Sequence, residues 1–565
     1  MKHMRKLLAL MIAVVMCMAM TVTVFATPTT DNSITITNTG KTAHTFELYQ
    51  IVVGDISTDG TTLSNITWGT GVADTFKTDT NLNALKALEG KANDGPEVKA
   101  FATNVAAALG TATTSPEVAP ADSYEFKNLT SGYYLVKDTA HSQDNAVDGA
   151  YTQYIVKVVG KVPASTKIDI PTVEKKVDDK VDSDNTETKI TWEDSADYDI
   201  GDDVPFQFKG TLPTNYAEYD TYYYEFSDTM GTGLTYNNDA AVYAKIGNDW
   251  YDITEGFDVS GAISSIKVDN LKAITTGKKV TFDTVDTEKI ASVADTDTEI
   301  EITAATEIYV RYTAKLNANC DKTATGNPNE VHLVYSNNPE GDGKGQTKPD
   351  KVKVFTFTTE VDKYEPDGAS ISADEYNALG EEDKANYIEV GNRYQKVKPL
   401  TGAGFTIYKK VVDSTVTGAQ LGSAIKADLD SSIEASALDA NTYYVTKAMT
   451  ASGATHTLEG LDAGEYVIVE TLIPNGYNSY KSKAFTISAT HDKLNDDPQL
   501  LTLDGGDPFT EADLANATVS GNIINEKGSS LPSTGGIGTT IFYVLGAILV
   551  VGAGVVLVTR RRMSA

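Results

Sequence analysis

Cysteine is nearly absent. Only Cys17 and Cys320 occur in 565 residues, which excludes a disulfide scaffold and any Cys-rich metal site. Basic residues are scarce too: 47 Lys and Arg stand against 78 Asp and Glu, a formal charge of −31. A polyanion of this size is a poor ligand for nucleic acid or anionic lipid. The six histidines are scattered, with no pair at metal spacing, and neither HExxH nor GxSxG occurs. Acidic runs such as DDKVDSDNTE lack the glycine of a calcium loop and read as solvated turns. No metal and no cofactor are expected. Helical patterns are few: LNALKALEG, VKAFATNVAAALG and ADEYNALGEEDKANYIE.

What is present points to strands and to several domains. The chain is 41% apolar and 8% aromatic, too rich for wholesale disorder. Twenty-nine tyrosines, with abundant Thr and Val, favour strand. A chain of this length predicts several domains, at about 100–200 residues each. Lys2, Arg5 and Lys6, the apolar run LLALMIAVVMCMAM and the small residue Ala26 form a secretory signal, with cleavage expected after Ala26. Cleavage removes Cys17, so the exported chain has one thiol and must be stabilised without an internal disulfide. At the other end, Ile541 to Val558 is an uncharged, mostly apolar run long enough for a short membrane span. Arg560, Arg561 and Arg562 follow it and hold that end in the cytoplasm.

Directly before the span stands Leu531-Pro532-Ser533-Thr534-Gly535. Motif, span and Arg cluster together resemble the LPXTG cell-wall sorting signal of Gram-positive surface proteins. The resemblance implies a sortase thiolate that attacks the Thr534 carbonyl. Gly535 then leaves, and an amine takes the acyl group.

The body carries a weak internal repeat. TFELYQI (Thr45 to Ile51) and GFTIYKK (Gly404 to Lys410) share an alternating strand pattern. Downstream, EFKNLTSGYYLVKD aligns with HTLEGLDAGEYVIVE: Leu129 with Leu461, Gly132 with Gly464, Tyr134 with Tyr466, and Asp138 with Glu470. Two copies of one β-sandwich type are expected. Between them IPTVEKKV, YYYEFSDTMGTGLTY, EIYVRYTAKL and EVHLVYS read as further strands, and NNPEGDGKGQTKPD (337–350) as a linker. Boundaries are placed near 165 and near 350.

YVIVETLIPNGYN (Tyr466 to Asn478) resembles the E-box of Gram-positive pilins, with Ile473 in place of the usual Ala. The chain thereby resembles the sortase-polymerised backbone pilins. The fold implied is mainly β, a tandem of immunoglobulin-like sandwiches of collagen-adhesin A and B type. The expected organisation is signal peptide 1–26, N-terminal pilin domain 27–165, A-type domain 166–349, B-type domain 350–528 and sorting segment 529–565. A structural, wall-anchored pilus subunit supporting adhesion is implied, not an enzyme. Its partners would be sortase, copies of itself, minor pilins, peptidoglycan and a host ligand. A monomeric wall-anchored adhesin is the alternative.

Domains of this kind are stapled by Lys–Asn isopeptide bonds. A lysine in a core is desolvated and neutral, a buried acid stays protonated and shuttles protons, and the fold holds amine and amide together. In the third domain the resemblance implies Lys363, the acid Glu470, and Asn525 with Asn522 as alternative. In the second, strand alternation puts Lys175 rather than Lys176 on the face of Val173 and Val177. Asp228 is the expected acid and Asn337 the expected partner, with Asn338 and Asn329 as alternatives. The first domain offers Asp138 as an acid but no lysine on the strand Ser33 to Thr37, so no bond is expected there. The family's polymerising lysine lies in a Val-x-Val-Tyr-Pro-Lys motif, of which Val156 to Lys161 lacks Tyr-Pro. Lys167 is the expected nucleophile, with Lys161 as alternative.

Overall fold

Alternating sequences make half-buried strands, and strands dominate this chain. The computed structural model describes residues 31–528 apart from 59, 93–94, 168, 180–188, 260–262, 285, 412–442 and 481. The signal segment, Leu531 to Gly535 and the apolar run 541–558 lie outside the described residues. Among the described residues no helix is long and apolar enough to cross a membrane. Among the described residues the strands form six sheets, and the chain is mainly β, a tandem of sandwiches.

In the first sandwich, Asn32–Thr37 runs antiparallel to Ser123–Leu129 and parallel to Lys161–Ser165. The facing sheet is Leu63–Trp68, Phe46–Ile56, Gly132–Asp138 and Gln153–Val158, with Ala112–Thr114 on its margin. Ile34, Ile36, Phe46, Leu48, Val136 and Val158 fill the space between. Each such side chain contributes about 1.5–3 kcal/mol by leaving water. Two of the expected helices, Asp79–Lys86 and Pro96–Ala106, cover the outer face through Leu85, Phe101 and Val105. A Cβ on Gly132 would lie 2.0 Å from the Val52 carbonyl oxygen, so only glycine lets these strands approach.

The second sandwich pairs a large sheet, with Val173–Asp178, Asp203–Gly210 and Glu307–Leu316 at its centre, against one holding Tyr224–Met230 and Asn327–Ser336. The core between them is aromatic: Phe206, Phe208, Tyr224, Phe226 and Tyr312. In the third, Phe357–Pro366 runs parallel to Thr518–Ile524, and the opposing sheet holds Gly404–Val411, Gly464–Leu472 and Lys483–His491.

The repeat seen in the sequence is also a repeat in register. Phe46 pairs with Asp138 across its sheet, and Phe405 pairs with Glu470 across the corresponding one.

Two expectations are corrected. Residues 337–350 are not a free linker. Lys344–Gln346 pairs with Val334–Ser336, and its backbone accepts from Asn145 and Asp148 of the first sandwich. This segment docks the first two sandwiches, because its edge carbonyls find donors there. The boundary expected at 349/350 moves to about Phe355. Asp350–Phe355 pairs with Asn327–Val331, and Val352 and Val354 pack in the second core. The insertion 364–399 folds into two short helices and a hairpin, Tyr387–Val390 with Arg393–Pro399. Its arm returns to pair with Tyr364–Pro366, and Tyr376 stacks on Tyr394.

Candidate crosslinking sites

Lys363 sits on the inward face of its strand, whose residues alternate buried and half-buried, and its side chain has no exposed surface. Parallel pairing puts it opposite Ile523, so the chain delivers Asn525 two residues later, locked by a bond from its own N–H to the Tyr364 carbonyl. Lys363 Nζ lies 2.7 Å from Asn525 Oδ1 and 3.1 Å from Glu470 Oε1. Asn525 Nδ2 donates to both Glu470 oxygens, at 2.9 and 3.1 Å. The Tyr480 N–H donates to Glu470 Oε2 and fixes the carboxyl group. Phe405 and Tyr480 rings wall the amine. Burial pushes the Lys363 amine down to about 8, against the pull of Glu470. Glu470 therefore touches both the nitrogen that would attack and the nitrogen that would leave. Asn522, the alternative, is exposed and pairs with Asp362 rather than facing the amine.

In the second sandwich Lys175 is fully buried, opposite Phe208 and over its ring at 4.6 Å. Its amine bonds to Asp228 Oδ1 and lies 3.2 Å from the Tyr312 hydroxyl. That hydroxyl donates to Asp228 Oδ2 at 2.7 Å and accepts from Asn329 Nδ2 at 2.7 Å. Burial brings Lys175 down to about 8 and pushes Asp228 up, so both partners move towards their neutral forms. Asn329 is fully buried, and its Oδ1 has no hydrogen-bond partner. Lys176 points the other way, to Asp194.

Asn337, expected as the partner of Lys175, lies elsewhere. Asp228 pairs with Val331. Six residues separate Val331 from Asn337, about 20 Å of strand at about 3.3 Å per residue. Asn337 Nδ2 instead donates to the Gln143 and Gly149 carbonyls of the first sandwich. Asn329 shares the inward face of Val331 one step along. Tyr312 was not singled out in the sequence; its only signal is an inward position in the alternating EIYVRYTAKL.

In the first sandwich Asp138 occupies the place of Glu470 and is buried. His44 Nδ1 stands 2.9 Å from its Oδ1, and the Thr152 N–H donates to its Oδ2 at 2.7 Å. An imidazole fills the position where an amine would be needed. Lys167 lies half-buried beside Thr152, and burial lowers its amine, against the opposing charge of Glu218. Lys161 is exposed at the start of its strand, 3.5 Å from Asp31.

Known proteins resemble this chain in sequence and in architecture. Residues 393–497 match the prealbumin-like fold domain termed SpaA, and residues 524–564 match the LPXTG cell wall anchor motif. The chain is 24% identical over 548 residues to the trypsin-resistant surface T6 protein of Streptococcus pyogenes serotype M6, covering 92% of this chain and 93% of the relative. Among solved structures it resembles the T6 backbone pilin of that organism (16% identity, TM-score 0.45, 88% of this chain and 99% of that one). It also resembles the major pilin SpaD of Corynebacterium diphtheriae (15%, TM-score 0.41, 88% and 98%). A β-sandwich tandem ending in a wall-anchor motif is a cell-surface protein fixed to the wall. More particularly, it carries a prealbumin-like domain and an LPXTG wall-anchor motif, and over most of its length it is similar to a streptococcal surface protein.

Proposed function

We propose that this chain is the repeating subunit of a covalent pilus, and that each of its second and third domains closes its own isopeptide bond. The observation that carries the reading is the buried triangle of Lys363, Glu470 and Asn525. Neutral Lys363 Nζ attacks Cγ of Asn525. Glu470 takes a proton from the attacking nitrogen and hands it to Nδ2. The C–Nδ2 bond breaks, ammonia leaves, and an amide joins the two strands. In the second domain Lys175 and Asn329 react in the same way. Asp228 moves the proton and Tyr312, which bonds to all three, holds them in place.

Between subunits, Thr534 is the acyl donor to sortase and Lys167 the acceptor. A half-buried amine with a lowered pKa is more often neutral, hence a better nucleophile, than a solvated one. The domains run 27–165, 166–355 and 356–528, followed by the sorting segment. Peptidoglycan receives the last subunit; minor pilins and a host ligand are the further partners.

Intact mass of the exported chain, with tandem mass spectrometry of a pilus digest, tests the reading. The chain should be two ammonias short, and a branched peptide should join Thr534 to Lys167. A full mass would overturn the internal bonds. Absence of any branch would leave a monomeric wall-anchored protein instead.

A further inference from the structure

A second buried cluster sits where the second and third sandwiches meet and shares no residue with either lysine site. Asp179 follows the strand Val173–Asp178, and Asp197 ends the strand Ser195–Asp197, both in the second sandwich. His491 ends the strand Lys483–His491 of the third. The side chains are 5%, 12% and 3% exposed, and one oxygen from each aspartate and one ring nitrogen lie within 4.8 Å of one another.

The hydrogen bonds orient the imidazole. Ser195 Oγ is 2.6 Å from the Asp492 carbonyl oxygen and 2.7 Å from His491 Nδ1. A carbonyl only accepts, so the hydroxyl proton goes to Asp492 and Oγ accepts from Nδ1–H. In the neutral ring this leaves the Nε2 lone pair bare. It is aimed at Asp197 Oδ2, 3.4 Å away, and Asp179 Oδ1, 3.8 Å away. The 3.4 Å separation matches an edge of a coordination polyhedron, since ligands about 2.0–2.1 Å from a tetrahedral zinc stand about 3.3–3.4 Å apart, and the 3.8 Å one needs only a small closure around an ion.

The neighbours suit a metal centre. The Nδ1–H bond to Ser195 orients the ring as an outer-sphere partner does. The Phe355 ring, 5.8 Å away, packs beside it. Lys493 takes the other oxygen of Asp179, and the Ala463 N–H takes the other oxygen of Asp197. Each carboxylate is thus held with one oxygen turned to the centre.

We propose that Asp179, Asp197 and His491 bind a divalent transition-metal ion, zinc foremost, that clamps the second sandwich to the third. An imidazole with only two carboxylates favours zinc over calcium or magnesium, which take all-oxygen sets of higher number. No spacing rule could find the site, because its ligands come from two domains.

The test uses the full chain in detergent, stripped with EDTA and titrated with zinc chloride. Elemental analysis should find one tightly held zinc per chain, and its X-ray absorption spectrum should show one imidazole among oxygen ligands. His491→Ala should weaken that zinc at least about tenfold. Asp197→Asn, which changes almost no volume, should do the same and covers the case in which His491→Ala does not fold. No tight zinc in the unmodified chain, a spectrum without imidazole, or equal affinity in a folded variant would each overturn the proposal.

Discussion

Replacing Glu470 with Gln isolates the chemistry of the third domain. The glutamine keeps the size of the side chain and can still hydrogen-bond Asn525, but it cannot carry a proton from Lys363 to the leaving nitrogen. The variant should be one ammonia short where the parent is two short. Stability should fall as well. The bond closes a loop of 162 residues, and in the chain-entropy treatment of crosslinks such a loop is worth about 5 kcal/mol. At about 2–4 °C per kcal/mol for a domain of this size, melting of the third domain should drop by about 10–20 °C. The lost bond also restores a titrating amine. Burial already brings the folded Lys363 amine down to about 8 against the pull of Glu470, so without that carboxylate it lies lower still, while the unfolded amine titrates at about 10.4. Between those values the unfolded chain binds more protons, so the variant gains stability as pH rises through that window and lacks the gain below it. The parent has no such amine and should show no such rise. Intact mass and calorimetry read both effects. An unchanged deficit of two ammonias in Glu470→Gln would refute the role of Glu470.

The remaining expectations concern the other domains. Asn329→Ala should restore one ammonia to the mass, whereas Asn337→Ala should leave the mass deficit intact and loosen the joint with the first sandwich; the reverse result would return the partnership to Asn337. Lys167→Arg should abolish the high-mass ladder on denaturing gels while Lys161→Arg leaves it, and a ladder that survives Lys167→Arg moves the acceptor elsewhere. The first sandwich, with His44 facing Asp138 and no amine, should be cut first in limited proteolysis of the whole chain. Cleavage beginning in the second or third sandwich would contradict that.

Contiguous signals were legible in the amino-acid order alone. The export signal, the LPSTG motif with its span and Arg cluster, and the E-box are each read within a few dozen residues, because an enzyme or one strand reads them locally. Strand alternation also singled out Lys175 over Lys176, since a period of two assigns faces without knowledge of the partner strand. The aligned pair Asp138 and Glu470 occupies equivalent places for the same reason.

Which residues meet across strands was decided by tertiary structure. Asn329 and Asn337 both lie near the ends of one strand, and only its register against Tyr224–Met230 says which of them nears Asp228. That register follows from packing of the aromatic core, where a slip of one residue would turn every side chain to the wrong face. Residues 337–350 have linker composition, but Lys344–Gln346 pairs with Val334–Ser336 and its carbonyls accept from backbone donors of the first sandwich. Tyr312 and His44 acquire their roles only from what faces them. The cluster of Asp179, Asp197 and His491 is the extreme case: His491 is far along the chain from the two aspartates of the second sandwich and meets them only because the third sandwich docks there, so the grouping is a property of the joint rather than of any segment.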